Sequence, residues 1–177
     1  MRLLRPLAVA AALAALLAPE LPRYAAERRI GLATAGFRTL LDRADAPETA
    51  NELVAIGQSA LAVAGRLPGD PRPWILGGSA YLLTRQPERA LENYREALAT
   101  GERAEIDLNL GRAYALARRR ESAEAAFLRA GWISPEILSG LAEPVRKPLL
   151  AEIARLTEEL RAGRLSAPPQ LPEQERR

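Results

Sequence analysis

The amino-acid sequence predicts an all-α protein, a solenoid of helical hairpins preceded by an apolar signal or anchor helix. Three observations support this fold class. Apolar residues recur at helical spacing along most of the chain. Two segments repeat one another without gaps. At the N-terminus, basic residues precede a short apolar run. We therefore divide the chain into a signal peptide or membrane anchor (1–22), a helical domain (23–165) and a disordered tail (166–177).

The N-terminal segment has the plan of a secretory signal. Arg2 and Arg5 precede an apolar run over residues 7–18, which matches the basic and apolar regions of such signals. Cleavage after Ala18 is poorly supported, because Leu16 stands where a small residue is usual. The segment therefore predicts export, with cleavage left open.

An uncleaved segment would act as a short anchor. A helix over residues 3–18 would be about 24 Å long, against about 30 Å for the hydrocarbon core of a bilayer. The alternative is an Ala/Leu-rich first helix of a soluble protein. We expect membrane association through residues 1–18 and a place in the bacterial cell envelope, either anchored in the inner membrane and facing the periplasm or free in the periplasm. The bacterial origin is inferred from the high alanine content and from Lys147, the single lysine among many arginines.

Composition excludes several kinds of chemistry. The chain has no cysteine and no histidine, so disulfides, thiolate metal sites and histidine acid–base catalysis are absent. Its acidic residues include no pair in a helical register and an apolar setting that would suit catalysis. The net charge is +3, but basic and acidic residues alternate, unlike the one-sided basic face of a nucleic-acid-binding protein. We predict no enzyme, no cofactor, no metal and no nucleic acid.

Two helices are predicted between the N-terminal segment and the repeat. They cover residues 23–43 and 48–66, and Pro47 suits the start of the second.

The internal repeat aligns residues 73–100 with residues 106–133. Five positions match in one register, each 33 residues apart (111 − 78 = 33). The matched pairs are Gly78 with Gly111, Tyr81 with Tyr114, Ala90 with Ala123, Tyr94 with Phe127, and Ala97 with Ala130. Such self-similarity indicates a stack of helical units.

These residues resemble the tetratricopeptide repeat (TPR) family, whose pattern is W-x₂-L-G-x₂-Y, then A-x₃-F, then P. The repeats cover about 71–103 and 104–136. Gly77 and Glu102 depart from the pattern in the first repeat, and Asp107 replaces the tryptophan in the second. The resemblance implies that Gly78 and Ala90 lie where two helices cross and that the aromatic residues are core. It also makes the upstream helix pair a degenerate repeat.

The resemblance further implies a concave groove, lined by the first helix of each repeat, that binds an apolar helix or extended segment of a protein partner. By register, the groove residues are Arg72, Ile75, Ser79, Leu82, Glu105, Leu108, Asn109 and Arg112. A carboxylate clamp is not expected, because only Asn109 and Arg112 suit it. The alternative is that Ile75 and Leu108 pack inside the stack.

The C-terminal part is predicted to close the stack. Residues 135–141 form a short helix, Pro144 and Pro148 interrupt it, and residues 147–165 form an amphipathic helix that resembles a TPR capping helix. Its apolar stripe is Leu149, Leu150, Ile153, Leu156 and Leu160.

Arg118, Arg119 and Arg120 form the one basic cluster, in the turn between the helices of the second repeat. Near a membrane these arginines would attract anionic lipid headgroups. The alternative is that they are solvated residues of a turn with no binding role.

Together these features predict a non-catalytic TPR scaffold or adaptor that assists the assembly of a bacterial envelope complex. The alternative is a self-associating structural protein whose groove is not used.

Overall fold

The computed structural model describes residues 16, 18, 20–42 and 48–172, and all regular secondary structure in this part of the chain is helical. The all-α prediction is confirmed. The α-helices are α1 (Leu21–Leu41), α2 (Thr49–Leu61), α3 (Arg72–Leu83), α4 (Pro87–Ala99), α5 (Ala104–Leu116), α6 (Arg120–Ile133) and α7 (Glu143–Arg161). Short 3₁₀ helices cover Ala64–Arg66 and Pro135–Gly140. The predicted signal or anchor lies almost wholly outside the described residues.

The helices stack in chain order. Each helix from α1 to α5 contacts the next one along the chain, and contacts between more distant helices are few. This pattern is a solenoid-like arrangement, in which a unit touches mainly its neighbours. The sequence repeat corresponds to two hairpins, α3–α4 and α5–α6.

Glycines allow the two helices of each repeat to cross closely. A Cβ at Gly78 would lie 2.7 Å from the Tyr94 ring, and a Cβ at Gly111 would lie 2.4 Å from the Phe127 ring. No real Cβ contact is that short, so each ring occupies the space that a side chain would need. The matched glycine–aromatic pairs therefore fix the same crossing in both hairpins.

The turn inside each hairpin also repeats. Arg85 and Arg118 have φ of 57° and 60°, in the left-handed region. The backbone N–H of the residue after each arginine donates a hydrogen bond to a carbonyl in the last turn of the preceding helix. In the first hairpin, Gln86 N donates to Tyr81 O at 2.8 Å. The second hairpin has the same bond, Arg119 N to Tyr114 O at 2.9 Å. Both turns are thus Schellman motifs that hold an arginine where glycine is usual.

The buried side chains of the described residues form three clusters. Two small clusters lie among α1, α2 and α3, and they share the half-buried Ile56 and Leu76. The largest cluster runs from Tyr81 at the end of α3 to Leu171 near the C-terminus. Most of the core therefore belongs to the two repeats and their C-terminal cover.

The prolines of the C-terminal helix act differently from our expectation. Pro148 does not interrupt the C-terminal helix, because α7 continues through it from Glu143 to Arg161. The ring removes one hydrogen bond, to the carbonyl of Pro144, and both prolines are exposed residues.

The apolar stripe of α7 is only partly used. Leu149 and Ile153 are buried, whereas Leu150 and Leu160 are exposed. Ile153 packs against Gly131 near the C-terminal end of α6. Only the middle of the helix therefore covers the end of the stack.

Candidate partner-binding surfaces

In the first repeat, the predicted groove begins with an ion-paired arginine. Arg72 is 2.7 Å from Glu27 of α1 and also bonds to Asp70. The hydrogen bond from Arg72 lowers the pKa of Asp70. Further along α3, the Ser79 hydroxyl lies 3.1 Å from the Tyr94 hydroxyl. Both polar groove residues are thus engaged within the chain.

In the second repeat, Leu108 is only 5% exposed. It belongs to the main core, as the alternative interpretation of this position expected. A charge placed at Leu108 would therefore disturb packing as well as any groove. Glu105, by contrast, is exposed.

The 3₁₀ helix Pro135–Gly140 approaches the same face. Arg112 donates to the Asn109 side-chain oxygen at 3.1 Å and to the Gly140 carbonyl at 3.4 Å. Because Leu108 is buried, the apolar part of the predicted groove is reduced to Ile75 and Leu82, which are half-buried and pack against the main core. Binding of a partner by these groove residues stays a prediction.

A second concave surface lies between α6 and α7. The two helices are in close contact at Gly131 but separate toward their N-terminal ends, leaving a cleft of about 550 Å³. Its lining residues are Ala115, Arg118, Arg120, Ala123, Glu124, Phe127, Leu128, Pro144, Val145, Pro148, Leu149 and Glu152. Clefts of this size and apolar character are typical binding sites. Ala115 lies on α5 three residues after the groove residue Arg112, so the two surfaces adjoin.

Charged side chains surround the opening of this cleft. Arg118 and Arg120 are exposed at the α5–α6 turn. Of the two acidic lining residues, Glu152 is held by Arg155, whose Nε lies 2.8 Å from its carboxylate. This hydrogen bond lowers the pKa of Glu152. The guanidinium groups of Arg118 and Arg120 therefore outweigh the free acidic charge of Glu124.

A buried carboxyl group lies elsewhere in α5. Asp107 is fully buried, and neither of its side-chain oxygens has a hydrogen-bond partner within the described structure. Burial, reinforced by the charge of Glu102 and opposed by that of Arg129, raises the pKa of Asp107 to about 7. Asp107 does not line the cleft, so we assign it no chemical role.

Sequence analysis missed the cleft because it depends on where α7 separates from α6. The available signal was Val145, an apolar residue between Pro144 and Pro148 that is 45% exposed. It was overlooked because the two prolines suggested a helix break.

The described residues include no group of three or more acidic side chains placed to hold a metal ion. Within the same residues, every helix is too short or too polar to cross a membrane. Comparison of the chain with protein-family models, with curated proteins and with solved structures found no match.

Proposed function

We propose that the chain is a TPR-like, non-catalytic scaffold that binds an apolar helix of a protein partner. The observation that supports this proposal most is the apolar cleft between α6 and α7. A helix in a groove is a common mode of peptide recognition, in which spaced apolar side chains enter the groove. Val145 and Leu128, on the two sides of the cleft, offer apolar contacts to such a helix.

The charge at the cleft opening selects the chemistry of the partner. Because Arg118 and Arg120 are exposed there, the partner helix carries Asp or Glu beside its apolar residues. Complementary charge increases the association rate and disfavours basic partners.

The proposed setting is the bacterial envelope, where the scaffold assists assembly of a complex. This part of the proposal rests on the sequence of residues 1–18. Intact-mass measurement of the fractionated full-length chain tests it: retention of residues 1–18 in the membrane supports an anchor, and a soluble full-length chain in the cytoplasm contradicts export.

Val145→Glu is expected to weaken partner binding by at least tenfold, because it places a charge in the apolar cleft. The partner would be recovered from a membrane extract with the tagged full-length chain and identified by mass spectrometry. It would then be purified, and its Kd for each variant would be measured by calorimetry.

Leu150→Glu is the matched control. Leu150 is 38% exposed on the same helix but does not line the cleft, so this variant should bind with an unchanged Kd. Equal loss of affinity in both variants would contradict the assignment of the cleft.

Self-association is a second candidate function, favoured by the outer face of α1. Tyr24 and Leu32 are 63% and 68% exposed there, and Leu21 is 61% exposed. Apolar groups clustered on one exposed helix face are typical of contact surfaces.

If α1 joins two copies, light scattering should give the mass of a dimer for the full-length chain and of a monomer for Leu32→Glu. A monomer for the unaltered chain at 100 μM, roughly a hundredfold above a micromolar Kd, would eliminate this candidate.

A further inference from the structure

The C-terminal segment after α7 packs back onto the solenoid. Residues 164–172 have almost no regular secondary structure, and sequence analysis placed most of them in the disordered tail. Leu171 is nevertheless only 7% exposed and belongs to the main core cluster. Residues 169–171 of this segment therefore lie against the repeats.

A polar contact fixes the same segment. Arg129 of α6 bonds to both carboxylate oxygens of Glu102, each at 2.6 Å, so its guanidinium has a set orientation. Its Nη1 then donates to the carbonyl oxygen of Pro169 at 3.2 Å. One backbone carbonyl and one leucine side chain are thus recognised two residues apart.

We propose that this surface is a docking site for an extended peptide with a leucine between prolines, and that the chain's own segment 168–172 occupies it. The site is separate from the cleft between α6 and α7, so it does not depend on the function proposed above.

The chemistry of the contacts defines the ligand. Arg129 binds a main-chain oxygen, which any residue supplies, whereas the buried position of Leu171 demands an apolar side chain. Prolines on either side limit the unbound peptide to extended conformations, which reduces the entropy lost on binding. A peptide of this type is therefore expected to compete with residues 168–172 for the same contacts.

The attached segment has an advantage in this competition. A short tether gives an effective concentration in the millimolar range, so the site of the unaltered chain is largely filled. A free peptide gains access when the attached segment is released. Leu171→Glu should release it, because a carboxylate is strongly disfavoured in an apolar position.

The test uses a fluorescently labelled peptide with the sequence of residues 164–172 (RLSAPPQLP). Its binding to full-length chains would be followed by fluorescence polarisation. We expect a Kd at least tenfold lower for Leu171→Glu than for the unaltered chain. A labelled peptide with glutamate in place of Leu171 should bind neither the unaltered chain nor the Leu171→Glu variant.

Two controls separate release from general damage. Leu160→Glu adds the same charge at an exposed leucine of α7 and should bind the peptide as weakly as the unaltered chain. Leu171→Ser is a milder release variant if Leu171→Glu loses its helical circular dichroism. The proposal is overturned if neither release variant binds the leucine peptide more tightly than the unaltered chain, or if the glutamate peptide binds equally well.

Discussion

Raising the pH from 5 to 8 is expected to lower the free energy of unfolding by about 3 kcal/mol, because a buried carboxyl group loses its proton in this range. The group is Asp107, whose pKa is raised to about 7 in the folded chain. In the unfolded chain the pKa returns to the ordinary value near 3.8. Between these values the folded state holds one more proton, so stability falls as the pH rises.

The responsible group is identified by substitution. Asp107→Leu has nearly the same shape and no charge, so it should remove most of the pH dependence and raise stability at pH 8 by about 3 kcal/mol. Asp107→Asn should also remove the pH dependence but gain less stability, because its amide finds no partner. Urea unfolding at pH 5 and pH 8, followed by circular dichroism, measures both effects.

The charged residues around Asp107 do not account for this fall in the free energy of unfolding between pH 5 and pH 8. Glu102 and Arg129 are paired, and their bond lowers the pKa of Glu102. Glu102 therefore loses its charge, and with it the stabilising ion pair, only on acidification below its ordinary range. A slope that persists in Asp107→Leu between pH 5 and pH 8 would place the titrating group elsewhere.

Gly111→Ala is expected to destabilise the protein by about 2 kcal/mol, because a well-packed core does not accept an added methyl group. The new Cβ would lie 2.4 Å from the Phe127 ring, which fills the crossing of α5 and α6. The two helices would have to separate, and the aromatic contacts on both sides would weaken. Thermal unfolding should show a melting temperature lower by about 6 °C.

Gly31→Ala is a matched control that is expected to change the stability in the opposite direction. Gly31 lies inside α1, and a Cβ there would meet nothing within 4 Å. Alanine is the better helix former, so this variant should gain up to about 1 kcal/mol. If both alanine variants raised the melting temperature, the close packing of Phe127 against Gly111 would not restrict the size of the residue at position 111.

The features predicted best from sequence are local or periodic. The 33-residue register matched Gly78 with Gly111, and the structure places an aromatic ring over each glycine. Helical periodicity gave the approximate bounds of α1 and α2, because each amphipathic pattern reports directly on one helix. The all-α, solenoid-like arrangement follows from these two signals.

The features missed depend on contacts between distant parts of the chain. Leu171 looked like part of a disordered tail, since proline, glutamine and charge surround it, yet it finds a place in the core. Leu108 has the register of a groove residue, but the helices around it leave it almost no exposed surface. Asp107 could be recognised as a departure from the repeat pattern, whereas its lack of a partner required coordinates.

The divided core affects how the protein opens. The clusters that hold α1 and α2 are much smaller than the main cluster, and they join the rest of the stack chiefly through α3. In a linear array each unit is stabilised mainly by its neighbours, and a terminal unit has only one neighbour. The free energy of its local unfolding is therefore lower than the free energy of global unfolding. The α1–α2 hairpin is therefore the part of the described chain that opens first, while the two repeats exchange their amide hydrogens as one slower unit.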